Sequence, residues 1–264
     1  MSGNPIRYLE KAVLNNTLKQ LLIGVLEYTF LKGLSFSPTI YRKVAPKYYR
    51  WRSSDDVNNY ARPPDVFKIE YVNPNIINRH SGRDKKHRNR RTMYGSVLDG
   101  NWDIGGERFS NTIRYESAKD HFCHGIPWED TKLYEELVGG PDNRIVSHIF
   151  TDRKKEVRME LEEFDNLYHQ IREEGYISQQ ELNKHKRSDG GLYLDTLDEI
   201  TVDVGRDGEL LFVDGRHRLT IAKLLDLDQI PVVFLVRHKE WMEYRDQVAE
   251  QDVIPDHPDL RDLK

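Results

Sequence analysis

The sequence has only one cysteine, Cys123, so no disulfide can form within the chain. A chain with so little cysteine is typical of a reducing compartment, and we expect a cytoplasmic protein. It also lacks a strong charge bias, because 40 basic and 44 acidic residues leave a formal net charge of -4. The overall field therefore neither attracts nor repels nucleic acid. Internal repeats are absent as well, and an apolar content of 38% is typical of a globular protein.

Uninterrupted apolar runs long enough to span a membrane are also missing. Residues 18–36 are largely apolar, but Lys19, Glu27 and Lys32 interrupt them and no small-residue cleavage site follows. Their spacing predicts an amphipathic helix packed on the domain. The basic, aromatic residues 41–52 suit either an ordinary surface or a layer of lipid headgroups. Peripheral membrane contact through the N-terminal region is therefore an alternative.

The dipeptide Pro63-Pro64 ends a polar stretch and predicts a boundary in the chain. We accordingly divide the sequence into an N-terminal helical extension at residues 1–62, a domain at residues 63–245 and a C-terminal tail at residues 246–264.

Both helical and strand periodicities occur in the domain, which predicts an α+β fold. One helix has apolar residues spaced by four and three, and Gly175 ends it. Two strands flank a four-residue turn with glycine at each end, which predicts a β-hairpin. The predicted helices are at residues 155–174 and 216–225, with two short ones on either side of 125–127, and the predicted strands are at residues 66–72, 200–204, 209–213 and 230–236.

Two aspartates, Asp99 and Asp103, lie in a glycine-rich loop at residues 94–109. A carboxylate in such a loop can hold a cation or accept a proton. The ordinary hydrogen-bonding role of aspartate in turns explains them equally well.

Residues 78–91 form the most basic run in the chain. Such a run is either a solvated loop or a surface that binds phosphate or an anionic polymer. His121, Cys123 and His124 resemble metal ligands, but no second cluster completes a tetrahedral zinc site. We therefore expect no zinc at these residues.

Five polar or flexible residues, Asp214, Gly215, Arg216, His217 and Arg218, lie between a predicted strand and a predicted helix. The start of a helix presents unpaired N–H groups at the positive end of its dipole, which favours an anion. The two arginines can bind phosphate oxygens, and a histidine can exchange a proton near neutral pH. The aspartate could cap the helix, orient the histidine or hold a metal ion. An N-cap with ordinary ion pairs is the alternative.

The residues DGRHRLTIAKLLDLDQIPVVFLV, 214–236, resemble the signature of the ParB/sulfiredoxin superfamily. In that signature a strand, a turn ending in arginine, a helix rich in Ala, Lys and Leu, and an Ile-Pro-Val strand follow in order. Residues 164–179 and 66–77 are similar to an upstream helix and to the opening strand. The resemblance implies a ParB/sulfiredoxin-like domain with a small mixed sheet, a helical insertion at about residues 78–155 and an N-terminal helical extension.

Departures from the signature separate the branches of the superfamily. Sulfiredoxin has a cysteine where this chain has Arg216, so its reductase chemistry is excluded. Partition proteins carry a DNA-reading helix-turn-helix domain after the Ile-Pro-Val strand, and the 27 residues after Arg237 are too few for one. The turn is most similar to the Asp-Gly-His-His-Arg turn of small-molecule kinases in the superfamily.

That resemblance implies ATP or another nucleotide bound by its phosphates at Asp214, Gly215, Arg216, His217 and Arg218, with or without Mg²⁺. The expected reaction is phosphoryl transfer to a hydroxyl of a small or glycan-linked metabolite. Such a reaction needs positioned charge and a proton acceptor, for which His217 and Asp99 or Asp103 are the candidates. The alternative is a non-catalytic or nuclease-like module that binds nucleic acid through residues 78–91.

Overall fold

The computed structural model describes residues 38–83, 93–139, 153–184 and 199–264, and within them the fold is α+β, as predicted. Six strands form one mixed sheet. The strands are β1 Ile69–Val72, β2 Arg79–His80, β3 Ser96–Leu98, β4 Ile200–Val204, β5 Leu210–Asp214 and β6 Ile230–His238. The helices are α1 Pro38–Val57, α2 Ile113–His124, α3 Lys132–Gly139, α4 Arg153–Glu174, α5 Gln179–Lys184, α6 Arg216–Leu224 and α7 Lys239–Val248.

The sheet is organised around β6, its longest strand. On one side, β1 pairs antiparallel with the first half of β6 and β3 pairs parallel with its end. On the other side the order is β6, β4, β5 and β2, with β4 parallel to β6 and β2 parallel to β5. The predicted hairpin is confirmed, because β4 and β5 are antiparallel and Gly205 N–H donates to the Glu209 carbonyl at 2.9 Å.

Alternate residues of β6 fill the two faces of the sheet, as the two-residue period of a strand requires. Val232 and Phe234 lie in the larger core, together with residues of α6 and α7. Val233 and Leu235 lie in the core on the opposite face. Burying both faces explains why residues 230–236 of this strand form an unbroken apolar run in the sequence.

The second face is covered partly by α1, which falls within the predicted N-terminal extension. Tyr48 and Tyr49 are buried there, and the Tyr49 ring packs against Tyr94 with centroids 6.2 Å apart. Two aromatic residues of the predicted basic, aromatic segment are thus core residues. The predicted helix at residues 18–36 lies outside the described residues. In the described part of the chain, no helix has both the length and the apolar character needed to cross a membrane.

Helix α4 begins at Arg153, two residues before the predicted start, and all five of its predicted core positions are buried. They form a separate core with α2, α3 and α6. Gly175 follows α4 with φ of 79°, which confirms the predicted C-terminal stop. The core positions of α4 are Val157, Leu161, Phe164, Tyr168 and Ile171.

The predicted C-terminal tail contributes to the main core. Leu260 and Leu263 are buried in it, in a 3₁₀ helix at Pro258–Leu263. Next to them the buried Asp259 accepts hydrogen bonds from Arg237 and, at 2.9 Å, from the indole N–H of Trp241. This ion pair anchors the last residues to the end of β6.

Candidate functional site

A cleft of about 390 Å³ opens at the edge of the sheet beside β2 and β5. Its walls come from these strands, from the loop before α2, from the first turn of α2 and from one face of α6. Two helices thus begin at the same cleft, and their unpaired N–H groups give it a positive potential. The lining residues are His80, Ser81, Gly82, Gly106, Glu107, Phe109, Thr112, Arg114, Phe212, Val213, Arg216 and Thr220.

The turn into α6 lies at the end of β5, as the sequence predicts. Gly215 has φ of 92° and ψ of 32°, a left-handed conformation that glycine adopts easily. A Cβ atom there would lie 3.0 Å from the Cα of Ile200, so packing against β4 also requires glycine. The carboxylate of Asp214 accepts a hydrogen bond from Gly215 N–H at 2.7 Å. The Ile200 backbone therefore accounts for this glycine without a ligand.

The two arginines of the turn point in different directions. Arg216 is exposed on the cleft, and its side chain has no hydrogen bond or ion pair with any described residue. Arg218 instead hydrogen-bonds the hydroxyl of Tyr176, which also donates to the buried Glu199 at 3.2 Å. Of the two predicted phosphate ligands, the structure places only Arg216 on the cleft.

A second arginine does line the cleft, and it is Arg114 of α2. It lines the cleft with Arg216, and its Nη2 atom lies 3.5 Å from a carboxylate oxygen of Glu160. Burial and the neighbouring charge of Arg216 lower the pKa of Arg114. Two cations that repel each other in this way are stabilised when an anion binds between them.

His217 is held beside the cleft by two contacts. Its ring stacks on Phe164 with centroids 4.4 Å apart, and Arg114 donates a hydrogen bond to its Nε2 atom at 2.6 Å. Burial, with the charges of Arg114 and Arg216, lowers the pKa of His217 to about 4. The imidazole is therefore neutral at pH 7, with its proton on Nδ1 because Nε2 is the acceptor.

Thr220 contributes a buried hydroxyl to the cleft. The residue is 1% exposed, and its Oγ1 atom has no hydrogen-bond partner among the described residues. It lies one turn after Arg216 on the same face of α6. A buried hydroxyl without a partner is unfavourable, so a ligand atom in this position would stabilise it.

The floor of the cleft is aromatic and rigid. The rings of His80 and Phe109 are stacked with centroids 5.6 Å apart. Phe212 of β5 meets each of them edge-on, with centroids 4.9 Å apart in both cases. This packing fixes the loop before α2 against the sheet and so fixes the position of Arg114.

Neither predicted aspartate lies on the cleft. Asp103 is buried at the opposite end of the β4–β5 hairpin, where Arg206 donates to it from its backbone at 2.8 Å and from its guanidinium at 2.7 Å. Burial opposes ionisation of Asp103, but the bonds from Arg206 outweigh it and lower the pKa to about 2. Asp103 is not among the residues that line the cleft, and the structure shows no contact between Asp103 and His217.

Asp99 is exposed and is also not among the residues that line the cleft. Its carboxylate accepts a hydrogen bond from Gly100 N–H at 2.7 Å and one from Lys239 at 3.4 Å. The hydrogen bond from Gly100 N–H, together with the one from Lys239, lowers the pKa of Asp99. Among the described residues that line the cleft, the acidic one is Glu107, which is exposed.

Three cleft residues, Glu107, Arg114 and Thr220, were not predicted. A sequence signal existed only for Thr220, which is four residues after Arg216 and therefore on the same helical face. The other two reach the cleft because the loop before α2 packs on the sheet, which no local pattern reveals.

One possible metal cluster brings together Asp99, His238 and Glu240. Both ring nitrogens of His238 are already used, because Nδ1 accepts from Glu240 N–H at 3.1 Å and Nε2 bonds the Gly100 carbonyl at 2.8 Å. The histidine therefore cannot act as a ligand in this arrangement. The cluster is an N-cap at the start of α7.

The first histidine of the sequence cluster His121, Cys123 and His124 has a structural role. His121 Nδ1 bonds the Ile126 carbonyl at 2.7 Å, and its ring stacks on Trp128 with centroids 4.1 Å apart. Among the described residues, no metal-binding group forms around it.

The first arginines of the basic run are used within the fold. Arg79 forms a bidentate ion pair with Glu209, with Nε–O distances of 2.9 Å. Arg83 is buried and pairs with the buried Asp203, with an Nε–O distance of 2.6 Å. Neither guanidinium is available to an anionic polymer, and residues 84–92 lie outside the described residues.

Comparisons of this chain with protein-family models, with curated proteins and with solved structures gave no match.

Proposed function

We propose that this protein binds the phosphate groups of a nucleotide in the cleft and transfers a phosphoryl group to a hydroxyl of a small or glycan-linked metabolite in the cytoplasm. The observation that carries the proposal is Arg216, an exposed guanidinium without a partner among the described residues, next to Arg114. The resemblance of the turn to the kinase branch of the ParB/sulfiredoxin superfamily supports the same ligand.

Three kinds of donor would hold the phosphate. The guanidinium groups of Arg114 and Arg216 donate paired hydrogen bonds whose geometry suits phosphate oxygens. The N–H groups in the first turn of α6 have no partner within the helix. The Thr220 hydroxyl lies further along the same helix and would gain a partner.

His217 acts in this proposal as a positioning residue. A pKa of about 4 makes it a weak base, and its Nε2 atom is occupied by Arg114. Stacking on Phe164 keeps the ring in place, so the imidazole orients the Arg114 guanidinium toward the cleft.

Glu107 replaces Asp99 and Asp103 as the proposed proton acceptor. In the step that we propose, the acceptor oxygen forms a bond to the terminal phosphorus while the bond from that phosphorus to its bridging oxygen breaks. The bridging oxygen leaves with the rest of the nucleotide, and the hydroxyl proton moves to Glu107. Among the described lining residues Glu107 is the only carboxylate. A Mg²⁺ ion that entered with the nucleotide would be held by Glu107 and by phosphate oxygens.

Calorimetric titration with ATP, ADP and CTP tests the binding part of the proposal. We expect at least one of them to bind, and Arg216→Ala to weaken binding about 20-fold, because a hydrogen bond to a charged group contributes ~1.5–3 kcal/mol. Arg172→Ala is the matched control, since this arginine lies on α4 away from the cleft lining. Absence of binding by all three nucleotides would refute the proposal.

The transfer part is tested with Glu107→Gln, which keeps the shape of the side chain and removes its basicity. We expect this variant to bind nucleotide like the wild type but to lose at least about 100-fold in phosphoryl transfer, in line with general-base catalysis. The assay measures nucleotide consumption in the presence of a panel of hydroxyl compounds. Equal rates for the two proteins would exclude Glu107 as the base.

A further inference from the structure

A second basic residue of α6, Lys223, lies beside the cleft, although it is not among the residues that line it. Arg216, Thr220 and Lys223 are spaced by four and three residues and therefore share one face of the helix. The first two line the cleft. The ammonium of Lys223 lies 6.0 Å from the ring centroid of Phe109, which forms part of the cleft floor. This face therefore presents a row of donors along about two turns of helix.

Lys223 is partly buried and has no counter-ion in the described part of the chain. No carboxylate there forms an ion pair with it, and its ammonium instead lies near the aromatic ring of Phe109. The exposed Lys239, by comparison, has carboxylates of Asp99 and Glu243 within 4.0 Å. Burial alone lowers the pKa of Lys223 to about 8, which leaves it mostly protonated at pH 7.

An unpaired cation in such a position is unfavourable unless something else balances it. A cation over an aromatic face is partly stabilised, and a lysine stem can cover apolar surface while its head reaches water. Neither effect explains why Lys223 lies on the same face of α6 as Arg216 and as the Thr220 hydroxyl, which has no described hydrogen-bond partner. An extended anion lying along α6 satisfies all three groups together.

The length of the row sets the size of that anion. Arg216 and Lys223 are seven residues apart, so their Cα atoms are about 10 Å apart along the helix. A single phosphate bound between Arg114 and Arg216 lies at one end of the row. From this spacing we infer that Lys223 binds a second phosphate of the same ligand, so that the cleft selects nucleoside di- or triphosphates over monophosphates. This inference rests on the proposed function.

Titrations with AMP, ADP and ATP test it in the full chain. We expect the wild type to bind ADP about tenfold more tightly than AMP, as one additional charge-assisted contact allows. Lys223→Met keeps the apolar stem and should reduce ADP affinity about tenfold without changing AMP affinity. Lys223→Arg should retain the preference for ADP. Lys119→Met, on the exposed surface of α2, is the control and should leave both affinities unchanged.

The outcomes separate the two proposals. If the wild type binds none of the three nucleotides, the proposed function fails. If the wild type binds them but Lys223→Met weakens AMP and ADP equally, or neither, the role of Lys223 is refuted and the phosphate cleft remains.

A measurement on the wild type alone covers the case in which the variants do not fold. Inorganic pyrophosphate should displace ADP at about a tenfold lower concentration than inorganic phosphate. Equal potency of the two anions would overturn the inference.

Discussion

The two ends of the β4–β5 hairpin both carry arginines, but they differ in how those charges are balanced. At the turn, Arg206 binds the buried Asp103 through both backbone and side chain. At the other end, Arg216 faces a cleft without any described partner, next to Arg114. An arginine that is paired with a buried carboxylate stabilises the fold, whereas an arginine without a described partner is available to stabilise a bound anion. Under the proposed function, the first end has a structural role and the second end binds the ligand.

The largest effect that this comparison predicts is the loss of stability in Asp103→Asn. The substitution removes a buried charge that receives several hydrogen bonds from Arg206, which lowers the free energy of unfolding by about 3 kcal/mol. Urea denaturation measures the change. Nucleotide affinity of the folded variant should equal that of the wild type, and a selective loss of affinity would restore Asp103 as a site residue.

The pH dependence of stability probes the other end of the hairpin. His217 has a pKa of about 4 in the folded protein and an ordinary value near 6.5 when unfolded. Between pH 4 and pH 6.5 the unfolded chain therefore binds a proton on this histidine that the folded protein does not bind. The free energy of unfolding is highest above pH 6.5 and decreases as the pH drops toward 4. We expect a loss of ~2 kcal/mol from this residue, allowing for its partial exposure.

His217→Gln is the variant for that measurement. Its unfolding free energy should depend less steeply on pH between 6.5 and 4 than that of the wild type. Some slope will remain, because burial also lowers the pKa of His257. Identical slopes for the two proteins would contradict the buried, neutral state of His217.

Thr220→Val should change the stability of the protein in the opposite direction. The substitution replaces a buried hydroxyl that has no described partner with a methyl group of similar size. We expect the ligand-free protein to become more stable by about 1 kcal/mol and nucleotide binding to become weaker. Thr201→Val, at a buried threonine whose hydroxyl donates to the Glu199 carbonyl at 3.2 Å, is the control and should not stabilise the protein.

The smallest predicted effect on stability belongs to Arg216→Ala. The side chain is exposed and has no described partner, so its loss should change the free energy of unfolding by less than about 0.5 kcal/mol. Thermal unfolding without nucleotide measures this. A loss as large as that of Asp103→Asn would mean that Arg216 is structural too, and the two ends would no longer differ.

The elements around the cleft could be predicted from the sequence because their signals are local. The apolar spacing in α4, the glycine-bounded turn of the hairpin and the alternation of strand and helix around Gly215 each depend on neighbouring residues. The start of β1 was predicted three residues early. Val66 and Phe67 are buried, but they lie in a turn where Lys68 N–H donates to the Asp65 carbonyl at 3.3 Å.

The partners within the site could not be predicted, because they are set by packing between distant segments. Arg216 and Arg218 are equivalent in the sequence, yet only Arg218 has Tyr176 and Glu199 beside it. Asp103 was a reasonable candidate base until the hairpin turn placed Arg206 against it. In both cases a partner distant in the chain, Tyr176 for Arg218 and Arg206 for Asp103, determines whether the charge is available.

The most direct test is diffraction from crystals soaked with ATP or ADP. We expect phosphate density within hydrogen-bonding distance of the Arg114 and Arg216 guanidinium groups, beside the first turn of α6. Phosphate density at the hairpin turn near Arg206, or an unchanged cleft at a nucleotide concentration that saturates binding in solution, would contradict it.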